Sequence, residues 1–229
     1  MKAANRVFSI LFPPRCVFCR RPLAADRRGV CSACLAGERR PSPLSGQKHG
    51  LFYHTAVAPF YYAGCPKRAV RSFKFTSSPF YARTFADFMW ECHGQAALPP
   101  PDFLTYVPGR PARDRARGYC QTALLADEVY RASHGVLPKP LPLLVRVKDT
   151  PHQYGLSPAQ RRANVLNAFA MRSEKISLEG GTVLLIDDVV TTGSTVSECA
   201  RLLLMAGAHR VDVLAFAKAP SFSAKMKQN

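Results

Sequence analysis

The chain has 229 residues, enough for one sizeable core and a small accessory module. Its 32 Lys and Arg outnumber 15 Asp and Glu, and the net charge of +17 points either to a polyanion partner or to a plainly basic surface. No apolar run is long enough to span a bilayer, and Val7 to Phe12 stops at Pro13-Pro14 without a small-residue cleavage site, so no membrane span or signal peptide is expected and the expected location is cytoplasmic.

The basic character is concentrated at the N-terminus. Residues 1 to 48 hold ten Lys and Arg against two acids, Asp26 and Glu38, a local excess of eight. The same stretch carries Cys16-Val17-Phe18-Cys19 and Cys31-Ser32-Ala33-Cys34, two C-x-x-C knuckles separated by eleven residues. Two such knuckles brought together supply four thiolates in the tetrahedral arrangement that suits a structural Zn²⁺. Disulfides are the competing reading, though pairing within one C-x-x-C is strained and cytosolic thiols stay reduced. Four cysteines leave no open coordination position for catalysis. Cys65, Cys92, Cys120 and Cys199 lack ligand spacing and read as ordinary buried or half-buried thiols.

Pro41 to Gly50 is a turn-rich linker, so residues 1–45 are expected to form a zinc module and residues 46–229 the main domain. Ala56 to Tyr62 reads as a strand. Ala69, Val70 and Phe73 predict a short helix with Lys67, Arg68, Arg71 and Lys74 directed outward, and Pro79 to His93 predicts another. Phe103 to Val107 is a second apolar strand. It runs into Pro108, Gly109 and Arg110, and then Arg113, Arg115 and Arg117. A Pro-Gly turn with arginines at a strand's carboxyl end can clamp a pyrophosphate, because guanidinium forks take its oxygens two at a time. A solvated basic loop before a helix from Tyr119 to Ser133 is the alternative. Leu144 to Phe169 shows no long element, and Ser157-Pro158 starts a short helix with Arg161, Arg162 and Asn164. Such a polar excursion reads as a lid, with His152 a loop residue rather than a base.

The densest chemistry lies in Thr182 to Thr195. Val183 to Ile186 is an unbroken apolar run, as a doubly covered parallel strand requires, and it ends at Asp187 and Asp188. Thr191, Thr192, Gly193, Ser194 and Thr195 follow, opening a helix that Gly207 terminates before a strand through Val211, Val213 and Ala215. Clustered hydroxyls and backbone N–H groups at a helix start bind phosphate, and glycine lets the anion approach. The two carboxylates repel phosphate, so they should face sugar hydroxyls, directly or through Mg²⁺.

This stretch resembles the 5-phosphoribosyl-1-pyrophosphate (PRPP) signature of type I phosphoribosyltransferases. By that resemblance Asp187 and Asp188 hold the ribose diol, and Thr191 to Thr195 hold the 5-phosphate. Hypoxanthine-type enzymes carry a third acid where this chain has Thr191, which disfavours a 6-oxopurine acceptor. Further blocks resemble the ComF family of bacterial competence proteins: the two knuckles, Phe73-Lys74-Phe75, Val107-Pro108, Arg117-Gly118-Tyr119-Cys120-Gln121, Leu144-Val145-Arg146, Thr150 with Gln153, Arg161 with Asn164-Val165, Ala168-Phe169 and the acid-pair loop. Cys120 departs from the Asn usual in that family. The resemblance implies an α/β fold of the type I phosphoribosyltransferase kind, with a parallel sheet flanked by helices and a small N-terminal zinc finger. It also implies a role in DNA uptake during natural transformation, with single-stranded DNA and a competence helicase as partners.

Two functions from different classes are expected. In one, a basic face tracks single-stranded DNA, with Phe18, Tyr53, Tyr61, Tyr62 and Phe75 as stacking platforms, and PRPP or pyrophosphate is a retained ligand. In the other, the chain is an active phosphoribosyltransferase or PRPP hydrolase of nucleotide metabolism, with Mg²⁺-PRPP bound, an unknown acceptor, and Arg110, Arg113 and Arg117 neutralising the departing pyrophosphate.

Overall fold

A computed structural model describes residues 14–23, 29–37, 41, 43–46, 51–75, 80–148, 165–173 and 176–220. The expected Ser157-Pro158 helix, with Arg161, Arg162 and Asn164, lies outside the described residues, as does His152. The strands are β1 (Leu44–Ser45), β2 (Thr55–Val57), β3 (Phe60–Tyr61), β4 (Phe103–Tyr106), β5 (Leu144–Arg146), β6 (Phe169–Met171), β7 (Thr182–Val190) and β8 (Arg210–Lys218). The helices are α1 (Ser32–Ala36), α2 (Gly64–Phe75), α3 (Phe80–Gln95), α4 (Pro111–Arg117), α5 (Gln121–Ala132) and α6 (Ser194–Met205).

The main sheet runs β1-β2-β8-β7-β4, with β3 also on β8. Among these strands β1 joins antiparallel, while β2, β3, β4 and β7 pair in parallel. Alternation along the central strands explains their continuous hydrophobicity. Leu184, Ile186, Leu214 and Phe216 face a core shared with α2, α3 and α5, whereas Val183, Leu185, Val211, Val213 and Ala215 face α6 and β6. Phe85 stacks on Phe216 at 3.6 Å between ring centroids, joining α3 to the sheet. The cysteine knuckle shares this core: Cys16, Val17, Phe18 and Leu23 are buried in it, and Phe18 meets Phe60 edge-on at 5.3 Å.

Several expectations shift. The strand expected over Ala56 to Tyr62 divides into β2 and β3, because Pro59 has no N–H to continue the ladder. The arginine stretch is not an open loop but α4, with Pro111 in its first turn and Gly118 at φ 82° ending it. Leu144 to Phe169 is bounded by β5 and β6, which pair antiparallel as a separate two-stranded sheet. Phe18 and Tyr53 are buried, 3% and 0% exposed, so neither offers a stacking face.

The largest shift concerns the acids. Asp187 and Asp188 do not follow β7; they lie within it, because β8 continues the pairing as far as Val190 opposite Lys218. On the other edge β4 ends opposite Ile186, after one more bond from the Val107 N–H to the Ile186 carbonyl. Pro108 can donate no further bond. From Asp187 onward β7 therefore has one paired edge and one edge open to a cavity.

Candidate functional site

The cavity at the carboxyl ends of β4 and β7 has a volume of about 300 Å³. Asp187, Asp188, Thr191, Thr195, Pro108, Gly109, Arg110, Arg113 and Arg117 all line it. The acids and the hydroxyls that reach it, seventy or more residues along the chain from the arginine segment, thus converge with it on one space. Thr192, Gly193 and Ser194 do not line it. Thr192 Oγ1 and Ser194 Oγ lie 2.9 Å apart, and Gly193 takes φ 77° as the residue preceding α6. That left-handed turn needs glycine, since a Cβ there would lie 2.8 Å from the Tyr53 hydroxyl.

Lys74 completes the acid pair. Its Nζ donates to Asp188 Oδ1 at 2.9 Å and lies 2.7 Å from Oδ2, so this residue of α2 points into the site rather than outward as the helical pattern implied. Tertiary pairing overrides the amphipathic pattern here, because Lys74 is in the last turn of α2, beside the open edge of β7. Burial pulls the Lys74 ammonium down, but Asp188 more than reverses this and holds it above the ordinary lysine value. Burial, reinforced by the neighbouring Asp188 charge, pushes Asp187 up to about 8. Its Oδ1 accepts the Asp188 N–H at 2.8 Å.

Arg146, Asp114, Gln121, Thr122 and Tyr62 also line the cavity and escaped the sequence reading of the site. Gln121 and Arg146 stand in the family-like blocks, but nothing in their local pattern marks them as facing the acids. The Arg146 guanidinium lies 4.5 Å over the Phe169 ring of β6. Asp114 is raised by burial, with the Cys120 thiol and Arg117 opposing.

The second cluster is the knuckle. Sγ atoms of Cys16, Cys19, Cys31 and Cys34 all lie within 4.8 Å of one another, the single group of three or more metal-binding side chains among the described residues. Zinc–sulfur bonds of about 2.3 Å in a tetrahedron put the sulfurs about 3.8 Å apart. Cys19 and Cys31 are at 3.7 Å, and all four thiols are free of disulfides. Burial would raise Cys16, but backbone hydrogen bonds from Cys19, Cys31 and Phe18 bring it down to about 7, while burial and the neighbouring Cys19 and Cys31 push Cys34 upward, as thiols crowded together must. The cluster can hold a zinc ion.

A family model described as the phosphoribosyl transferase domain matches residues 123–227. Competence protein F of Haemophilus influenzae is 30% identical over 232 residues, covering 90% of this chain and 97% of that protein. DNA utilization protein YhgH of Escherichia coli K12 is 29% identical over 221 residues, covering 88% of this chain and 95% of that protein. Competence protein ComFC of Bacillus subtilis is 26% identical over 194 residues, covering 84% of this chain and 72% of that protein. A parallel sheet flanked by helices, with the acid pair at its open edge, defines a phosphoribosyltransferase fold. Within that class the chain belongs to the ComF family, over nearly its whole length. No helix among the described residues is long and apolar enough to cross a membrane.

Proposed function

We propose that the protein serves the uptake and processing of single-stranded DNA in natural transformation and retains a PRPP site in the cavity. The observation that carries the PRPP reading is the convergence of Asp187 and Asp188 with Arg110, Arg113 and Arg117 on one space at the strands' carboxyl ends. In this reading Asp187 and Asp188 hold the ribose diol, Thr191 and Thr195 face the 5-phosphate from the turn that Thr192, Gly193 and Ser194 form, and Pro108, Gly109, Arg110 and Arg113 receive the pyrophosphate, with Arg117 beside them. Magnesium fits as an ion carried by PRPP, since Lys74 already occupies both oxygens of Asp188. The knuckle holds one structural zinc through Cys16, Cys19, Cys31 and Cys34, and eight free thiols fit the reducing cytoplasm.

The nucleic-acid part of the reading is supported by a second cleft, of about 550 Å³, between the knuckle and α2. Among the described residues its lining includes Arg20, Arg68 and Arg71 and no carboxylate. The names of the relatives, competence protein and DNA utilization protein, agree with a DNA-handling role. A competence helicase is the natural partner of such a role.

Calorimetric titration of Mg²⁺-PRPP tests the cavity. Asp188 is a poor residue to remove, because its loss leaves the Lys74 ammonium without a counter-charge. Asp187→Asn and Arg113→Ala are the informative variants, each expected to weaken binding by about 10- to 100-fold. Wild-type affinity in both would exclude this ligand assignment.

A further inference from the structure

Two blocks far apart in sequence, Phe73-Lys74 and Arg117 with Gln121, meet at the end of α2. The last carbonyls of α2 have no partners within the helix. Arg117 Nε donates to the Lys74 carbonyl at 2.7 Å, and Gln121 Nε2 donates to the Phe73 carbonyl at 2.8 Å. Arg117 Nη1 donates to Gln121 Oε1 at 2.9 Å, which closes the arrangement into a ring. The Tyr119 hydroxyl adds a longer bond to the Phe73 carbonyl at 3.4 Å. Gln121 is buried, and Arg117 is half-buried. The outcome is a fixed end for α2, from which Lys74 reaches both oxygens of Asp188.

We propose that Arg117 and Gln121 are positioning residues that hold Lys74 against Asp188, and that Lys74 is the cation through which they act on the ligand of the cavity. The ligand half rests on the PRPP reading above. Arg117 has two nitrogens committed to protein acceptors, so it is less available to an anion than its place in the cavity lining implies. Lys74 neutralises Asp188, which lets a phosphate-bearing sugar approach two adjacent carboxyl groups without a metal ion bound to the protein first. Planar, forked donation is essential to the ring, and a lysine at position 117 cannot supply it.

The test is a double-mutant cycle on the full chain with Lys74→Met, Arg117→Met and both together, titrated with Mg²⁺-PRPP and with inorganic pyrophosphate. Each single change is expected to weaken binding by about 10- to 100-fold. Adding Arg117→Met to Lys74→Met should then cost less than about twofold, because the positioned group is already gone. Losses that multiply would show that Arg117 meets the ligand itself, and would overturn the proposal. Arg117→Lys should behave like Arg117→Met; full affinity in the lysine variant also overturns it.

Should Lys74→Met fail to fold, Lys74→Met/Asp188→Asn keeps the site neutral and serves as the background. A urea-unfolding cycle on the ligand-free variants provides an independent readout, with non-additive shifts in midpoint expected. Additive midpoints overturn the clamp. Wild-type protein that binds neither probe refutes the PRPP reading and the ligand half of this proposal, while the unfolding cycle still decides the clamp.

Discussion

Cys120 shows how one side chain changes a local balance without changing the fold. It is the residue preceding α5, in extended conformation, and its thiol makes no hydrogen bond to the first-turn amides. Asn is among the best residues at such a position, because its carbonyl oxygen accepts an otherwise unpaired N–H. Cys120→Asn is therefore expected to stabilise the protein by about 1 kcal/mol, read as a higher urea midpoint at unchanged slope. His93 shows the same scale through pH. Burial holds its imidazole below the ordinary value, with Asp212 opposing, and Trp90 stacks on it at 5.1 Å. The unfolded chain takes up a proton near pH 6.5 while the folded one resists, so the contribution is complete above about pH 6.5 and is lost as pH falls below it. His93→Phe should flatten the acid limb of stability against pH; an unchanged limb would place the acid sensitivity elsewhere.

At the scale of elements, the knuckle bears on the fold as much as on any ligand. Phe18 is 3% exposed against Phe60, and Arg20 Nη2 donates to Ser72 Oγ at 3.0 Å, so the knuckle packs on β3 and α2. Cys31→Ser is expected to abolish zinc binding by the cluster and lower the unfolding temperature together, as metal analysis and calorimetry would show. Phe18→Ala should cost about 3–5 kcal/mol while the thiols remain able to bind zinc. Zinc retained in full by Cys31→Ser would remove that cysteine from the ligand set. The knuckle was legible in sequence because C-x-x-C spacing is a local constraint. Its packing against Phe60, more than forty residues away, was not.

At the scale of the whole molecule, part of the charge excess gathers in two places of different chemistry among the described residues. Around the cavity, Arg110, Arg113, Arg117, Arg146 and Lys74 are mixed with Asp114, Asp187 and Asp188, a balance suited to a ligand bearing both phosphates and hydroxyls. In the cleft beside the knuckle, Arg20, Arg68 and Arg71 stand without a carboxylate among the described lining residues, which suits a phosphate backbone. Replacing all three with alanine should lower the salt slope of single-stranded DNA binding by about two, at roughly 0.7 for each phosphate no longer neutralised. Fluorescence anisotropy across a range of salt concentrations measures it, and an unchanged slope would place the DNA elsewhere on the surface. Mg²⁺-PRPP affinity should be unaffected by that triple change, since none of the three residues lines the cavity.

Local rules in the sequence determined the parts whose causes are local. The apolar run from Val183 to Ile186 demands a doubly covered strand, four cysteines at paired spacing suit a tetrahedral metal ion, and hydroxyls around Gly193 suit a turn into a helix. The acids were legible as chemistry for the same reason. Tertiary structure alone decided where β7 ends, because pairing with β8 carries it past both acids while Pro108 stops β4 short. It also decided that Lys74 faces inward, since an amphipathic pattern shows which residues share a helix face but not whether a buried carboxylate awaits one of them. Arg117 is the clearest case. Its sequence neighbours mark it as one more cation of a basic segment, and only the fold brings its guanidinium to the Lys74 carbonyl at the end of α2 and to Gln121 Oε1.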